Sequence, residues 1–194
     1  MLSFNKNKFL LICGIISIII AYSSIIFSII ISNWFSWINN ALSDLGAREP
    51  SAIIFNSGLI LSGFFLILFS LSLYNFFKGL LNKIGIFLFL LASISLSLIG
   101  IFPETAGKIH LYVSIMFFTF TPLSFIFLGL ASILSKLKKY GLFTIIIAIL
   151  MIITWLIPWK NIGIHGVAIP EFISSIFASI WAINTILKIY KEMK

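Results

Sequence analysis

Asp44, Glu104, His110 and Glu171 are the side chains in this sequence best suited to moving a proton. A carboxyl and an imidazole within reach of one substrate can serve as general acid and base. Asp44 or His110 would be the base, and Glu104 or Glu171 the acid. Ser43, Arg48, Asn56 and His165 add donors and acceptors suited to gripping a substrate. These residues form three local groups, and each has a plain structural alternative. Around Ser43-Asp44, Arg48-Glu49 and Asn56, helix capping and turn chemistry would account for the polar residues, with an interhelical hydrogen bond for Asn56. For Pro103-Glu104 and His110, the alternative is a buried histidine with a satisfied partner. For His165 and Glu171, it is a salt bridge from Glu171 to Arg48 or Lys108. Imidazoles and carboxylates also bind zinc and other divalent ions. Here the ligands would come from different helices, their spacing defines no ligand set, and no metal residues are assigned. The sequence has no H-E-x-x-H, P-loop, G-x-S-x-G or C-x-x-C, and it specifies no cofactor.

The elements that must position these residues are membrane spans. The 194 residues are 61% hydrophobic and 9% charged, against roughly 25% charged in a soluble domain. Mean hydropathy is +1.19. A span needs about 20 apolar residues, and six such runs take up nearly the whole chain: 9–31, 52–76, 84–102, 109–134, 141–159 and 167–189. The expected fold is therefore all-α: a polytopic bundle of six transmembrane helices forming one integral membrane domain over 1–194. The first run is too long for a signal-peptide core and no clear cleavage site follows it, so it reads as a retained span. Cys13, the only cysteine, lies inside that run, so no intrachain disulfide forms.

Between the first two spans lies the longest polar interruption, 39–51. Trp34 and Trp37 precede it and suit a membrane–water interface. Residues 36–45 are expected to form a short interfacial helix ended by Gly46, and Pro50 to start the next helix.

The net charge of +8 is a topology signal rather than a nucleic-acid footprint. Ten of the basic residues fall at the termini and in the loops after spans two and four; Arg48, Lys108 and Lys160 fall in the other loops. The positive-inside rule then places both termini in the cytoplasm. Asp44, Glu49, Glu104, Glu171, His110 and His165 all sort to the opposite, outer face. Glu171, Ser175, Ala178 and Ala182 recur at helical spacing, a pattern that suits close helix packing. His110, Ser114 and Thr121 recur likewise and point His110 into the bundle. No charge sits at the middle of a span, which counts against coupled ion transport.

The strings Leu42-Ser43-Asp44-Leu45-Gly46 and Phe55-Asn56 resemble an uncharacterised family of archaeal and bacterial six-span membrane proteins, domain of unknown function nine hundred and ninety-eight. Gly100-Ile-Phe-Pro103-Glu104 leading to His110, and a late acid before a tryptophan (Glu171 and Trp181), are similar to that family too, so the likeness spans almost the whole chain. The family often follows the late acid with arginine; this chain has Phe172, which puts a pairing role there in doubt. More distantly, the Ser-Asp-x-Gly element resembles the Frag/DRAM/Sfk group of six-span proteins, which implies a role connected with lipids. The expected function is therefore an outward polar pocket in the cell membrane that binds or modifies lipid head groups, with membrane lipids as partners and no nucleic acid. The alternatives are a non-catalytic lipid- or partner-binding protein such as a chaperone or receptor, and a transporter.

Overall fold

The computed structural model describes residues 2–193. Among them are six α-helices: α1 (Leu2–Ile30), α2 (Ala52–Phe76), α3 (Leu80–Ile101), α4 (Lys108–Leu134), α5 (Lys138–Leu156) and α6 (Ala168–Glu192). Short 3-10 turns at Leu42–Gly46, Glu104–Ala106 and Trp159–Ile162 join them, and there is no strand among the described residues. All six helices are long and apolar enough to cross a membrane, the first over Asn7–Ile30.

The helices outrun the apolar spans at some ends. α3 takes in Lys83 and α5 takes in Lys138 and Lys139. Lysine is a good helix former, and its long stem lets the ammonium reach past the apolar surface. The larger difference is at 36–45. Only Leu42–Gly46 is helical there, as a 3-10 turn, and 33–41 is turn and loop. The side chains explain it. Asn40 Oδ1 accepts the Ser36 N–H at 2.9 Å and Asp44 Oδ2 accepts the Ala41 N–H at 3.1 Å. Those bonds give the backbone partners that a helix would otherwise supply.

The bundle is inside-out relative to a soluble one. Large apolar side chains such as Phe27, Ile53, Phe64 and Phe87 face outward, while Ser17, Ser62, Ser93, Ser124 and Thr144 are buried. In lipid there is little hydrophobic gain from joining helices, so close packing and hydrogen bonds hold them together. The Ser17 and Ser62 hydroxyls meet at 2.8 Å between α1 and α2. Ser97 Oγ donates to the Ile60 carbonyl at 3.1 Å between α3 and α2. Between α4 and α5, a Cβ on Gly141 would lie 2.6 Å from the Gly129 carbonyl oxygen, so only glycine allows that approach.

Each helix from α1 to α4 packs closely on the next in the chain, and α6 lies more loosely against α5 and α1. At the end holding both termini, the interior is filled. Trp181 stacks on Phe125 at 4.1 Å between ring centroids and tilts against Phe89 at 5.4 Å. Tyr140 bonds Thr185 at 2.8 Å in the same half. At the other end a second apolar cluster, including Phe55, Leu59, Leu96 and Val113, packs beneath the 31–51 segment and takes in its Leu42 and Leu45.

Candidate functional site

The site is built around the 31–51 segment, which folds on its own polar residues and then docks on α6. Asn40 Nδ2 donates to Asp44 Oδ2 at 2.7 Å. Asn56 Nδ2, one turn into α2, donates to the Gly46 carbonyl at 2.9 Å. Ser51 Oγ donates to the Leu45 carbonyl at 2.8 Å. Docking uses the backbone: the His165 and Gly166 N–H groups both donate to the Ile38 carbonyl, at 2.8 and 2.7 Å, and the Ala168 N–H donates to Asn40 at 2.9 Å. One side chain completes it. Glu171 Oε2, in the first turn of α6, accepts the Leu42 N–H at 2.7 Å. Apolar contact reinforces the dock, since Trp37 meets Phe172 edge-on at 5.1 Å and Phe172 meets Tyr22 at 5.8 Å.

Glu104 begins the turn after α3, and its carboxyl is hydrogen-bonded to that of Asp44. Two carboxylates cannot share such a bond unless one keeps a proton. The pair divides accordingly. The bond to Asp44 raises Glu104, with desolvation and the Asp44 charge adding to it, to about 7. Asp44 pays a desolvation penalty that pushes upward, but the bonds from Glu104, Asn40 and Ala41 and the nearby Arg48 outweigh it and hold Asp44 below its usual range. Carboxyls driven apart in this way can serve as acid and base.

The sign of the pH effect follows. Glu104 favours the folded state in its protonated form, so its contribution is full below 4.5 and fades as pH rises through about 7. Asp44 contributes when ionised, above 3.8, and its contribution is lost as pH falls through its lowered folded value. The melting temperature is therefore expected to decline as pH rises from about 4.5 to about 7. In Glu104→Gln the amide donates to Asp44 at every pH, and thermal unfolding across that range should show a flattened decline.

His110 is buried. Its Nδ1 lies 2.8 Å from the Phe102 carbonyl, and because a carbonyl only accepts, Nδ1 carries the proton. Nε2 then accepts from Ser114 Oγ at 3.3 Å. The histidine thus ties the end of α3 to α4 and keeps Nε2 on the cavity side.

Two cavities lie under the docked segment. A groove of about 780 Å³ runs between α4, α5 and the start of α6, lined by Glu104, His110, Ser114 and Glu171 at one end and by Ile115, Leu123 and Ile152 along its length. An inner chamber of about 130 Å³ lies among α1, α2, α3, α4 and α6. The two meet at Ser43, Ser114, Phe118 and Glu171, which line both.

Of the expected site residues, Ser43, Glu104, His110 and Glu171 share the groove, and Asp44 adjoins it through Glu104. Three others do not come to it. Arg48 is exposed with its guanidinium over the Trp34 ring at 4.7 Å. Asn56 is spent on Gly46. The His165 side chain is exposed in the loop and only its backbone docks. Glu171 bonds a backbone N–H rather than Arg48 or Lys108. The stripe Glu171, Ser175, Ala178 and Ala182 lines the inner chamber, where close packing was expected. Ala178 and Ala182 also pack in the core cluster around Trp181, and Ser175 bonds Tyr22 of α1 at 3.2 Å.

Some lining residues escaped the sequence reading. Tyr22, the only tyrosine of its span, bonds Ser175 and Ser179 at 3.2 Å each and walls the chamber. Pro122 lies inside α4 and on the groove. A proline in an apolar span was the available signal, since it leaves the carbonyl four residues earlier, that of Phe118, without its helical N–H. No group of three or more histidine, cysteine, aspartate or glutamate side chains among the described residues has the geometry to hold a metal ion.

The chain belongs to the family described as "Protein of unknown function (DUF998)", whose model matches residues 15–187. No curated protein and no solved structure matches it. The more distant likeness to the Frag/DRAM/Sfk group therefore rests on its short motif alone.

Proposed function

We propose that this chain binds a membrane lipid in the groove between α4, α5 and α6, with the polar head at Glu104, His110 and Glu171 and the chain along the apolar flank. The proposal includes a single domain in the cell membrane, with both termini cytoplasmic and the groove's polar end outward. One observation carries it: the groove is polar at one end and apolar along its length, as an amphiphile is. Its volume of about 780 Å³ falls within the range of small-molecule sites, about 300–1,000 Å³.

A monoacylglycerol with a diazirine in its chain tests the reading. Photolabelling in nanodiscs is expected to mark Ile115, Leu123 and Ile152, and Leu123→Trp, which fills the groove, should cut labelling about tenfold. Labels confined to outward residues such as Phe64 and Phe87 would mean that the lipid merely surrounds the bundle.

A second reading has its own support. A proton held near neutral pH between Asp44 and Glu104, close to His110, suits acid–base turnover of the bound lipid by hydrolysis or by acyl or glycosyl transfer. The matching test is lipid analysis of membranes bearing Glu104→Gln. Retained photolabelling with an altered lipid profile favours turnover; an unchanged profile favours binding alone.

A further inference from the structure

We propose that the groove selects amphiphiles whose head group donates hydrogen bonds and carries no negative charge, an amine or a set of sugar hydroxyls. This rests on the lipid-binding reading and names its ligand class. The first observation is Ser43. It is 8% exposed, it lines both cavities, and among the described residues its hydroxyl has no partner. The hydroxyl keeps some accessible surface, so it can donate to or accept from a ligand seated in the cavities that Ser43 lines.

The second observation is the one-sided chemistry around that hydroxyl. Glu171 gives one oxygen to the Leu42 N–H, which leaves the other to accept. Glu104 lines the groove close by, and the Glu171 carboxyl lies near enough to Glu104 and Asp44 to feel their charge. The Phe118 carbonyl lacks its helical N–H because of Pro122. The fixed donors in the lining are already used. His110 Nδ1–H is given to Phe102, and Trp155 Nε1–H to Ser174 Oγ at 3.1 Å. No lysine or arginine lines either cavity. A phosphate or carboxylate head would meet the negative charge that the Asp44–Glu104 pair keeps after sharing its proton, with no lysine or arginine in the lining to bind it, and like charges repel strongly in a low-dielectric site. An ammonium or a sugar hydroxyl would find acceptors on several sides and a partner for Ser43.

Three competitors of equal chain length decide the matter: dodecylamine, dodecyl glucoside and dodecyl phosphate. Each is titrated against the photoreactive monoacylglycerol on the full chain in phosphatidylcholine nanodiscs. The amine or the glucoside is expected to halve photolabelling at a concentration at least about tenfold below that of the phosphate, and whichever of the two is stronger identifies the donor. Ser43→Ala should narrow the gap, and Ser43→Thr, which keeps the hydroxyl, should preserve it. A phosphate that competes as well as the other two overturns the head-group inference and leaves the lipid site standing. If no competitor displaces the label, the lipid-binding reading falls with it.

Discussion

Replacing Glu171 with alanine is expected to release the Leu42–Gly46 turn from α6 and to cut photolabelling by the monoacylglycerol at least about tenfold. Glu171 does two things at once. Its Oε2 accepts the Leu42 N–H at 2.7 Å, and its side chain lines both cavities where they meet. Leaving a buried donor unsatisfied costs about 1–3 kcal/mol, and alanine would leave the N–H of buried Leu42 with no partner. Local opening should become easier by a similar amount, so exchange of the Leu42 amide should speed up about ten- to hundredfold while amides around Trp181 stay protected. Glu171→Gln keeps an acceptor for Leu42. It should restore slow exchange while weakening competition by dodecylamine, because an amide cannot form an ion pair with the amine as a carboxylate can. That pair of variants separates holding the segment from meeting the ligand. An unchanged Leu42 exchange rate in Glu171→Ala would show that the backbone pairs to Ile38 and Asn40 hold the segment unaided.

What the residues disclosed in advance follows from which part of the physics is local. Long apolar runs have one stable arrangement in lipid, so the six helices were readable within a few residues. The gathering of Asp44, Glu104, His110 and Glu171 was readable too, because short loops force alternate spans to return to the same end. The partners of those groups were not. Glu171 bonds a main-chain N–H 129 positions away, and no side-chain pattern encodes a backbone partner. Asn56 and His165 carry the same chemistry as the groove residues, but a turn of helix or a loop register points them elsewhere. The stripe from Glu171 to Ala182 shows the same limit from another side. Small residues permit either a tight contact or a void, and here Ala178 and Ala182 do both, packing in the core cluster and lining the chamber. In the 36–45 stretch the interfacial tryptophans and the Gly46 stop suggested a helix, and the competing bonds of Asn40 and Asp44 prevailed.

Gly166→Ala should have the largest effect of any single methyl in the chain, and it should act through the same docked segment. A Cβ there would lie 2.2 Å from the Asn40 carbonyl oxygen and 2.5 Å from its nitrogen. Those are backbone atoms, so no rotamer change relieves the contact, and the segment must move off the start of α6. Moving it breaks the bonds from His165 and Gly166 to Ile38 and from Ala168 to Asn40, and it draws Leu42 away from Glu171. Overpacking of this kind costs about 1–3 kcal/mol before the lost hydrogen bonds are counted. The expected result is a lower melting temperature, faster exchange from Ile38 to Leu42, and loss of photolabelling. Gly166→Ala should already have removed most of what Glu171→Ala removes, so the double variant should fall well short of the sum of the two. Strict additivity would mean that the two residues serve separate structures. A shortfall of about 1 kcal/mol or more would mean that the backbone pairs and the Glu171–Leu42 bond close the cavity as one unit.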